Sequence, residues 1–371
     1  MLKIGIVVQR YGIEFAGGSE YLARWLALKL KNYFSVEILT TTAIDAVTWK
    51  NHFTAGTSEI DDIPVRRFPV TRLRNYDTFL QLSEKVFSRD HKLGEEFEWL
   101  EDQGPVCPDL ITYIDQHLDN FEVFIFFTYL YYPTYFGLHH AKLKSIFIPT
   151  AHEEPPIFLT IYQHLFCLPA GIIFLAEEEK DFVIEQFGPL RSPWIVTGIG
   201  IEGLDSDIPE TQHLKKLPCD LPKKPYIFSC GRIESAKGYE QLFDYFSNFK
   251  KKHNSSLSLV LAGNAHMDIP ESSNIIYKGF VTDEVKMFLL SNAAAVIIPS
   301  PLESLSLLAL EAWKFGKTVI ANGHSRVLLG HIMRGNGGWT YQSADQFDNC
   351  LLKLEKEPEL VLQTGLKGRE Y

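Results

Sequence analysis

Two carboxylates interrupt an otherwise apolar stretch, PSPLESLSLLALEAWKFG. Glu303 stands just after the prolines and Glu311 eight positions on, among Leu, Ala and Trp. An unpaired buried charge is costly, so each needs a cation or a set of hydroxyl donors. The pattern predicts a helix over Leu305–Phe315 with Glu303 in the loop before it. Eight residues is about two helical turns, so with part of the span in a loop the two acids line a rim rather than one face. From a rim they accept hydrogen bonds from vicinal hydroxyls of a sugar. Ser304, Leu305 and Ser306 offer amides at the helix start to phosphate oxygens. The plainer alternative is an N-terminal acid that favours the helix dipole, plus one buried, paired Glu. It accounts for Glu303 well and Glu311 poorly.

Four further stretches carry reactive types. In GRIESAKG, Arg232 and Lys237 flank a turn into a helix, with Gly231 before and Gly238 after. Arginine gives bidentate phosphate contacts and lysine a mobile point charge, so the pair fits a diphosphate clamp; two surface cations is the alternative. In KGFVTDEV, Gly279, Phe280 and Val281 offer a backbone edge and apolar neighbours to a planar base, or simply a turn. In QRYGIEFAGGSE, Gly17 and Gly18 precede a helix with Ser19 as its expected cap, a place where backbone can approach an anion, or an ordinary capped turn. In AHEEPP, His152 follows a strand and could reach a sugar hydroxyl or a leaving group; a lone histidine is more often structural. Glu153 and Glu154 read as solvated.

The elements that position these residues are legible from periodicity. IGIVV, VEILTT, VFIFF, SIFIPT and GIIFLA are short apolar runs in the first half; YIFSCG, LSLVLAG, IIYKG, AVIIPS and KTVIAN repeat the pattern in the second. Helical periods fill the gaps, as in SEYLARWLALKLKNY and KGYEQLFDYFSNFKKK. That alternation marks doubly wound α/β sheets, whose ligands bind beyond the strands' carboxyl ends. The polar, proline-rich GLDSDIPETQHLKKLPCDLPKKP, near residues 203–224, reads as the break, giving domains 1–200 and 201–371 with a site in the cleft between them.

Bulk properties bound the function. The 371 residues, 46% hydrophobic, suffice for two cores. A formal charge of −10 argues against general nucleic-acid binding and against a polybasic membrane patch. Cys107, Cys167, Cys219, Cys230 and Cys350 have no zinc-like spacing and suit reduced thiols in a cytoplasm. MLKIGIVVQ does not read as a signal peptide, and VFIFFTYLYY is too short to span a bilayer. The expected location is cytoplasmic, with room for peripheral contact with the inner face of the membrane.

Taken in order, GGSE, a strand-end His, GR-x4-KG, LAG, GFV and PS-x2-E-x7-E-A-x3-G resemble the retaining glycosyltransferases of family GT4. The resemblance runs from residue 2 to the last residue, and its specific part is C-terminal. It implies the GT-B architecture, two Rossmann-like domains facing a cleft. The N-terminal domain would take the acceptor and the C-terminal domain a UDP-, GDP- or dTDP-linked sugar. Arg232 and Lys237 would stabilise the diphosphate, Glu311 would bind ribose hydroxyls and Glu303 would face the donor sugar. Gly18 would lie against the diphosphate and His152 near the transferred sugar. No metal or other cofactor is implied. The expected activity is hexosyl transfer to a glycan or lipid-linked acceptor, in cell-surface polysaccharide biosynthesis. The chain departs from the pattern where E-G-F-G reads Glu303-Ser-Leu-Ser, where P-N-G-V-D reads VTGIGIE ending at Glu202, and at LKGREY, beyond which a closing crossover helix is expected and not found.

For the acceptor, Tyr129, Tyr131, Tyr132 and Tyr135 could stack on sugar rings, and Arg66, Arg67, Arg72 and Arg74 could meet a lipid diphosphate or acidic glycan. The favoured alternative makes the tyrosines part of the core and the arginines a solvated face. Two rival functions remain: a non-catalytic glycosyltransferase-like partner subunit, and a GT-B nucleotide-sugar epimerase, against which the E-x7-E segment argues.

Overall fold

The computed structural model describes residues 1–15, 17–88, 90–201 and 225–371. The chain forms two compact units, Met1–Gly198 and Ile199–Tyr371. The proline-rich segment holding the expected domain break, with Glu202 and Cys219, lies outside the described residues.

The first unit runs β1 (Lys3–Val7), α1 (Gly18–Leu30), β2 (Ser35–Thr41), β3 (Gly56–Ile60), β4 (Ile63–Phe68), α2 (Tyr76–Val86), α3 (Leu93–Gln103), α4 (Pro108–Gln116), β5 (Val123–Phe127), α5 (Tyr132–Ala141), β6 (Ser145–Ile148), β7 (Gly171–Phe174), α6 (Glu177–Phe187) and β8 (Trp194–Val196). Its sheet order among the described residues is β3-β4-β2-β1-β5-β6-β7-β8, parallel except for the β3–β4 hairpin at one edge. The central strands are buried on both faces, which is why IGIVV and VFIFF are continuous rather than alternating apolar runs. A core rich in aromatics, including Phe124, Phe126, Phe147 and Phe166, packs against the sheet.

The second unit runs β9 (Tyr226–Cys230), α7 (Tyr239–Lys252), β10 (Ser258–Ala262), β11 (Ile275–Tyr277), α8 (Asp283–Asn292), β12 (Ala295–Ile298), α9 (Leu307–Lys314), β13 (Val319–Asn322), α10 (Arg326–Gly335), β14 (Gly338–Tyr341), α11 (Ala344–Lys356) and α12 (Pro358–Glu370). All six strands are parallel, in the order β11-β10-β9-β12-β13-β14. Ile227, Leu259, Leu261, Ile297 and Ile320 face α7 and α11, while Phe228, Val260, Val296, Ile298 and Ala321 face α8, α9 and α10. This period-two division makes the sheet doubly wound, with the 3-2-1-4-5-6 order of dinucleotide folds. LKGREY forms the last turns of α12, which packs on α9, α10 and α11; the Tyr371 hydroxyl lies 3.0 Å from His331 Nδ1.

Candidate functional site

The strand order of the second unit reverses between β9 and β12, so the loops after these two strands diverge and leave a crevice at their carboxyl ends. The loop after β9 carries Gly231, Arg232, Lys237 and Gly238; the loop after β12 carries Glu303 through Ser306. An ion pair joins them. Lys237 Nζ lies 3.0 Å from Glu303 Oε1, 3.4 Å from the Leu302 carbonyl and 3.5 Å from Ser300 Oγ. Two short-range features enforce this meeting. Lys237 ends a single 3-10 turn, Ser235–Lys237, and Gly238 follows in the left-handed conformation at φ +78°. A Cβ at Gly238 would lie 2.2 Å from the Pro299 carbonyl oxygen, so only glycine lets the β9 loop pass this close to the β12 loop. The Pro299 carbonyl is held from the other side by Asn322 Nδ2 at 2.9 Å. A second close approach backs the crevice: a Cβ at Gly263, φ +123°, would stand 1.9 Å from the Gly231 carbonyl oxygen.

Arg232 is differently placed. Its side chain is 59% exposed and lies 3.4 Å from Glu234. An exposed guanidinium five residues upstream of a half-buried ammonium presents donors to an oxyanion from two heights, and Glu303 beside them presents an acceptor to hydroxyls.

Helix α9 begins at Leu307, two residues later than the periodicity predicts. Ser306 sits at its N-cap with φ +68°, a left-handed backbone that cannot continue a helix, so residues 304–306 remain loop. Ser304 is half-buried, while Leu305 and Ser306 are buried. Glu311 lies in the helix and is 5% exposed. Its partner is one that pattern reading missed: Lys286 Nζ, on α8, donates to Glu311 Oε1 at 2.8 Å and stands 3.3 Å from Asp283. Burial alone would lower the Lys286 pKa, but the charge and hydrogen bond of Glu311, with Asp283, outweigh it and hold the ammonium above its ordinary range. The buried-and-paired alternative for Glu311 is therefore satisfied within the chain. Cys230, at the end of β9, feels the same charge; burial pushes its thiol up to about 12 and Lys286 opposes that. Gly279 (φ +70°) accepts the Gly263 amide at 2.8 Å, Phe280 is exposed, and Val281 packs in the layer that includes Cys230 and Val285.

Gly17, Gly18 and His152 belong to the first unit. Gly17, not Ser19, caps α1. Ser19 is inside the helix; its hydroxyl donates to Glu20 Oε2 and accepts from Gln9 Nε2, each at 3.0 Å. Neither Gly17 nor Gly18 has a positive φ, and a Cβ at Gly18 would meet nothing within 4 Å. The fixed charge here is a pair between half-buried Arg10 and buried Glu20: Arg10 donates from Nη2 to Glu20 Oε1 at 2.6 Å and lies 4.8 Å from the Phe15 ring centroid. The motif GGSE hid this partner because the arginine sits ten residues upstream.

His152 follows β6. Its Nε2 is 3.4 Å from Glu154 Oε2 and its Nδ1 3.4 Å from the Thr150 carbonyl. Glu154 is not a solvated acid: its Oε1 accepts the hydroxyl of fully buried Tyr129 at 2.7 Å. Glu153 is exposed. Behind the histidine, fully buried Glu179 accepts the Ala151 amide at one oxygen and the Leu175 amide at the other, both at 2.7 Å, clipping the ends of β6 and β7 together. Burial raises its pKa to about 8, against the pull of those amides and of His152.

Of the four arginines, Arg72 is exposed and Arg66 half-buried, while the other two are not solvated. Arg67 is 5% and Arg74 8% exposed. Arg67 donates to the Tyr11 carbonyl at 2.6 Å; Arg74 donates to the carbonyls of Ala46, Asp102 and Gln103 and covers the rings of Trp49 and Phe79. Arg66 pairs with Glu37, and Arg72 with Glu101 and Asp102. RRFPVTRLR lies in and after β4, where alternate side chains turn inward and find partners remote in sequence. Among the tyrosines, Tyr129 and Tyr135 are core, and Tyr131 and Tyr132 half-buried. Among the described residues no helix is long and apolar enough to cross a membrane.

Residues 218–371 match the family described as glycosyl transferases group 1. Over 126 residues the chain is 29% identical to an uncharacterized glycosyltransferase of Methanocaldococcus jannaschii; the match spans 31% of this chain and 31% of that relative's length. Sucrose-phosphate synthase from Thermosynechococcus elongatus superimposes with a TM-score of 0.71 at 15% identity, covering 100% of this chain and 94% of that one. HepE of Anabaena, solved in complex with UDP and glucose, gives 0.67 at 15%, again over 100% and 94%. The α,α-trehalose 6-phosphate synthase of Burkholderia multivorans gives 0.67 at 11%, over 99% and 94%. The fold is GT-B, and the match of the second unit to group 1 glycosyl transferases supports a glycosyltransferase.

Proposed function

We propose that the chain is a retaining glycosyltransferase of the GT4 type, moving a hexose from a nucleoside-diphosphate sugar to a glycan or lipid-linked acceptor in cell-surface polysaccharide synthesis, on the cytoplasmic side of the membrane. The observation that carries this reading is the Lys237–Glu303 pair across the switch point of the second sheet, beside exposed Arg232. A similar structure, that of HepE, holds UDP and glucose.

In this reading the acceptor hydroxyl attacks the anomeric carbon on the face from which the nucleoside diphosphate leaves. The C–O bond to the diphosphate breaks, its electron pair stays on the leaving phosphate, and that phosphate takes the acceptor's proton. Arg232 and Lys237 stabilise the charge gathering there. Glu303 accepts hydroxyls of the donor sugar, and Glu311 those of the ribose. Gly279, Phe280 and Val281 flank the base, Ser304 to Ser306 offer amides, and Gly231 lets the backbone turn. Gly18 and His152 keep the roles that the resemblance implies for them, at the diphosphate and at the transferred sugar. The cations do the work of a metal, so EDTA leaves the rate unchanged.

The test is thermal stabilisation by UDP, GDP, dTDP and CDP and their sugars, alongside donor hydrolysis and transfer. A ligand at a hundred times its Kd adds about 2.7 kcal/mol to the stability of the folded chain. One nucleotide is expected to raise the melting temperature of the wild type and not that of Arg232→Ala. Because Arg232 is exposed, that variant keeps the unliganded melting temperature. No shift from any nucleotide, on a folded sample, refutes the donor site and favours the non-catalytic reading.

A further inference from the structure

The Lys286–Glu311 pair spans α8 and α9 above the end of β9, with side-chain exposures of only 17% and 7%. Burying an ion pair costs desolvation that an apolar pair of similar volume avoids, so this one is poor value as a staple. Its two helices have apolar anchors besides: Val285 on α8 and Leu308 and Leu310 on α9 pack against the core of the second unit. What the lysine does that Leu or Met could not is fix the charge and direction of the carboxylate. It grips one oxygen, Oε1, at 2.8 Å, and Asp283 steadies the ammonium from 3.3 Å.

We propose that Lys286 is a positioning residue that sets Glu311 to receive the two ribose hydroxyls of a nucleotide, and so governs discrimination between ribo- and 2′-deoxyribonucleotides. The proposal rests on the reading of Glu311 as the ribose-binding acid. Without the ammonium, Glu311 is a buried carboxyl that either takes up a proton or turns to solvent. In both cases the acceptor for the second hydroxyl is lost. The diphosphate contacts of Lys237 and Arg232 are untouched, because both residues stand on the separate loop after β9.

The experiment is calorimetric titration of the full chain with UDP and 2′-deoxy-UDP, and with GDP and 2′-deoxy-GDP. The quantity read is the ratio of the two affinities within each pair. A buried carboxylate that loses a hydroxyl partner costs roughly ten-fold or more in binding, so the wild type is expected to prefer the ribose form by about that factor. In Lys286→Met the preference falls to about two-fold or less while the deoxy form binds as before; Lys286→Arg, which keeps the charge, retains it. A general structural role would weaken both nucleotides equally and leave the ratio alone. Lys286→Met with a wild-type ratio overturns the proposal while leaving the site intact. A wild type that binds both forms equally overturns the reading of Glu311, and one that binds no nucleotide overturns the site; the proposal falls with either. Should Lys286→Met fail to fold, Lys286→Gln supplies the same ratio.

Discussion

Substituting Gly238 by alanine tests the claim that two loops must nearly touch to build the site. The added Cβ falls 2.2 Å from the Pro299 carbonyl oxygen and 3.0 Å from its carbon. Both are backbone atoms held by Asn322, so neither can swing aside as a side-chain tip would. The left-handed φ of +78° adds a cost of about 1–2 kcal/mol for any L-residue with a Cβ. Relief of the contact requires the loops to part by about an ångström, comparable to overpacking a core at a further ~1–3 kcal/mol. The sum is about 2–5 kcal/mol. For a unit of this size each kcal/mol moves the midpoint by about 2–4 °C, so the second unit should melt at least ~4 °C lower, read by differential scanning calorimetry. Parting the loops also separates Lys237 from Glu303, so nucleotide stabilisation should weaken more than stability alone explains. The control is Gly18→Ala. Its Cβ meets nothing within 4 Å and it lies in α1, so the unliganded chain should gain up to ~1 kcal/mol. If Gly238→Ala melts within 1 °C of the wild type, the close approach is not what holds the site together.

Two further outcomes follow from the first unit. Glu179 has its folded pKa raised to about 8, so its contribution to stability is fully present below the unfolded value near 4.5 and is lost as pH rises through about 8. Unfolding free energy should therefore fall between pH 5 and pH 8, by up to ~1.4 kcal/mol per unit, and Glu179→Gln should flatten that slope; an identical slope in the variant would show that the proton is held elsewhere. Arg74→Ala removes donors from three backbone carbonyls and a cation from two aromatic faces, and should cost about 3–5 kcal/mol by urea denaturation. A loss under ~1 kcal/mol would restore the view of this arginine as a surface charge.

The parallel strands were readable because each is buried on both faces and so becomes an unbroken apolar word, such as VFIFF or AVIIP. The β3–β4 hairpin was not: GTSEI is almost wholly exposed, and nothing in its composition distinguishes an edge strand from a loop. Of the site, the residues that follow strands were found because doubly wound sheets place function there. Their partners were not. Lys286 lies in DEVKMF, where a lysine reads as the solvent side of an amphipathic helix, and its carboxylate is twenty-five residues away. The same blindness turned Arg67 and Arg74 into surface charges and Glu154 into a solvated acid. Pattern reading sees the period of a segment, but a buried charge declares itself only through a partner brought by the fold.

The strand order of the second unit also imposes a schedule on synthesis. β9 is the middle of its sheet, flanked by β10 and β12. On a ribosome adding ~5–20 residues per second, β9 and β10 can pair early, but the other edge of β9 waits for β12, which begins about 65 residues after β9 ends. For several seconds the nascent chain shows the unpaired backbone N–H and C=O groups of a largely apolar strand to its surroundings, the condition under which chains pair with the wrong neighbour. Lys237 is made in that interval without Glu303. Slow codons between residues 231 and 295 should lengthen the exposure and raise the demand for chaperones, whereas slow codons after residue 306 should not.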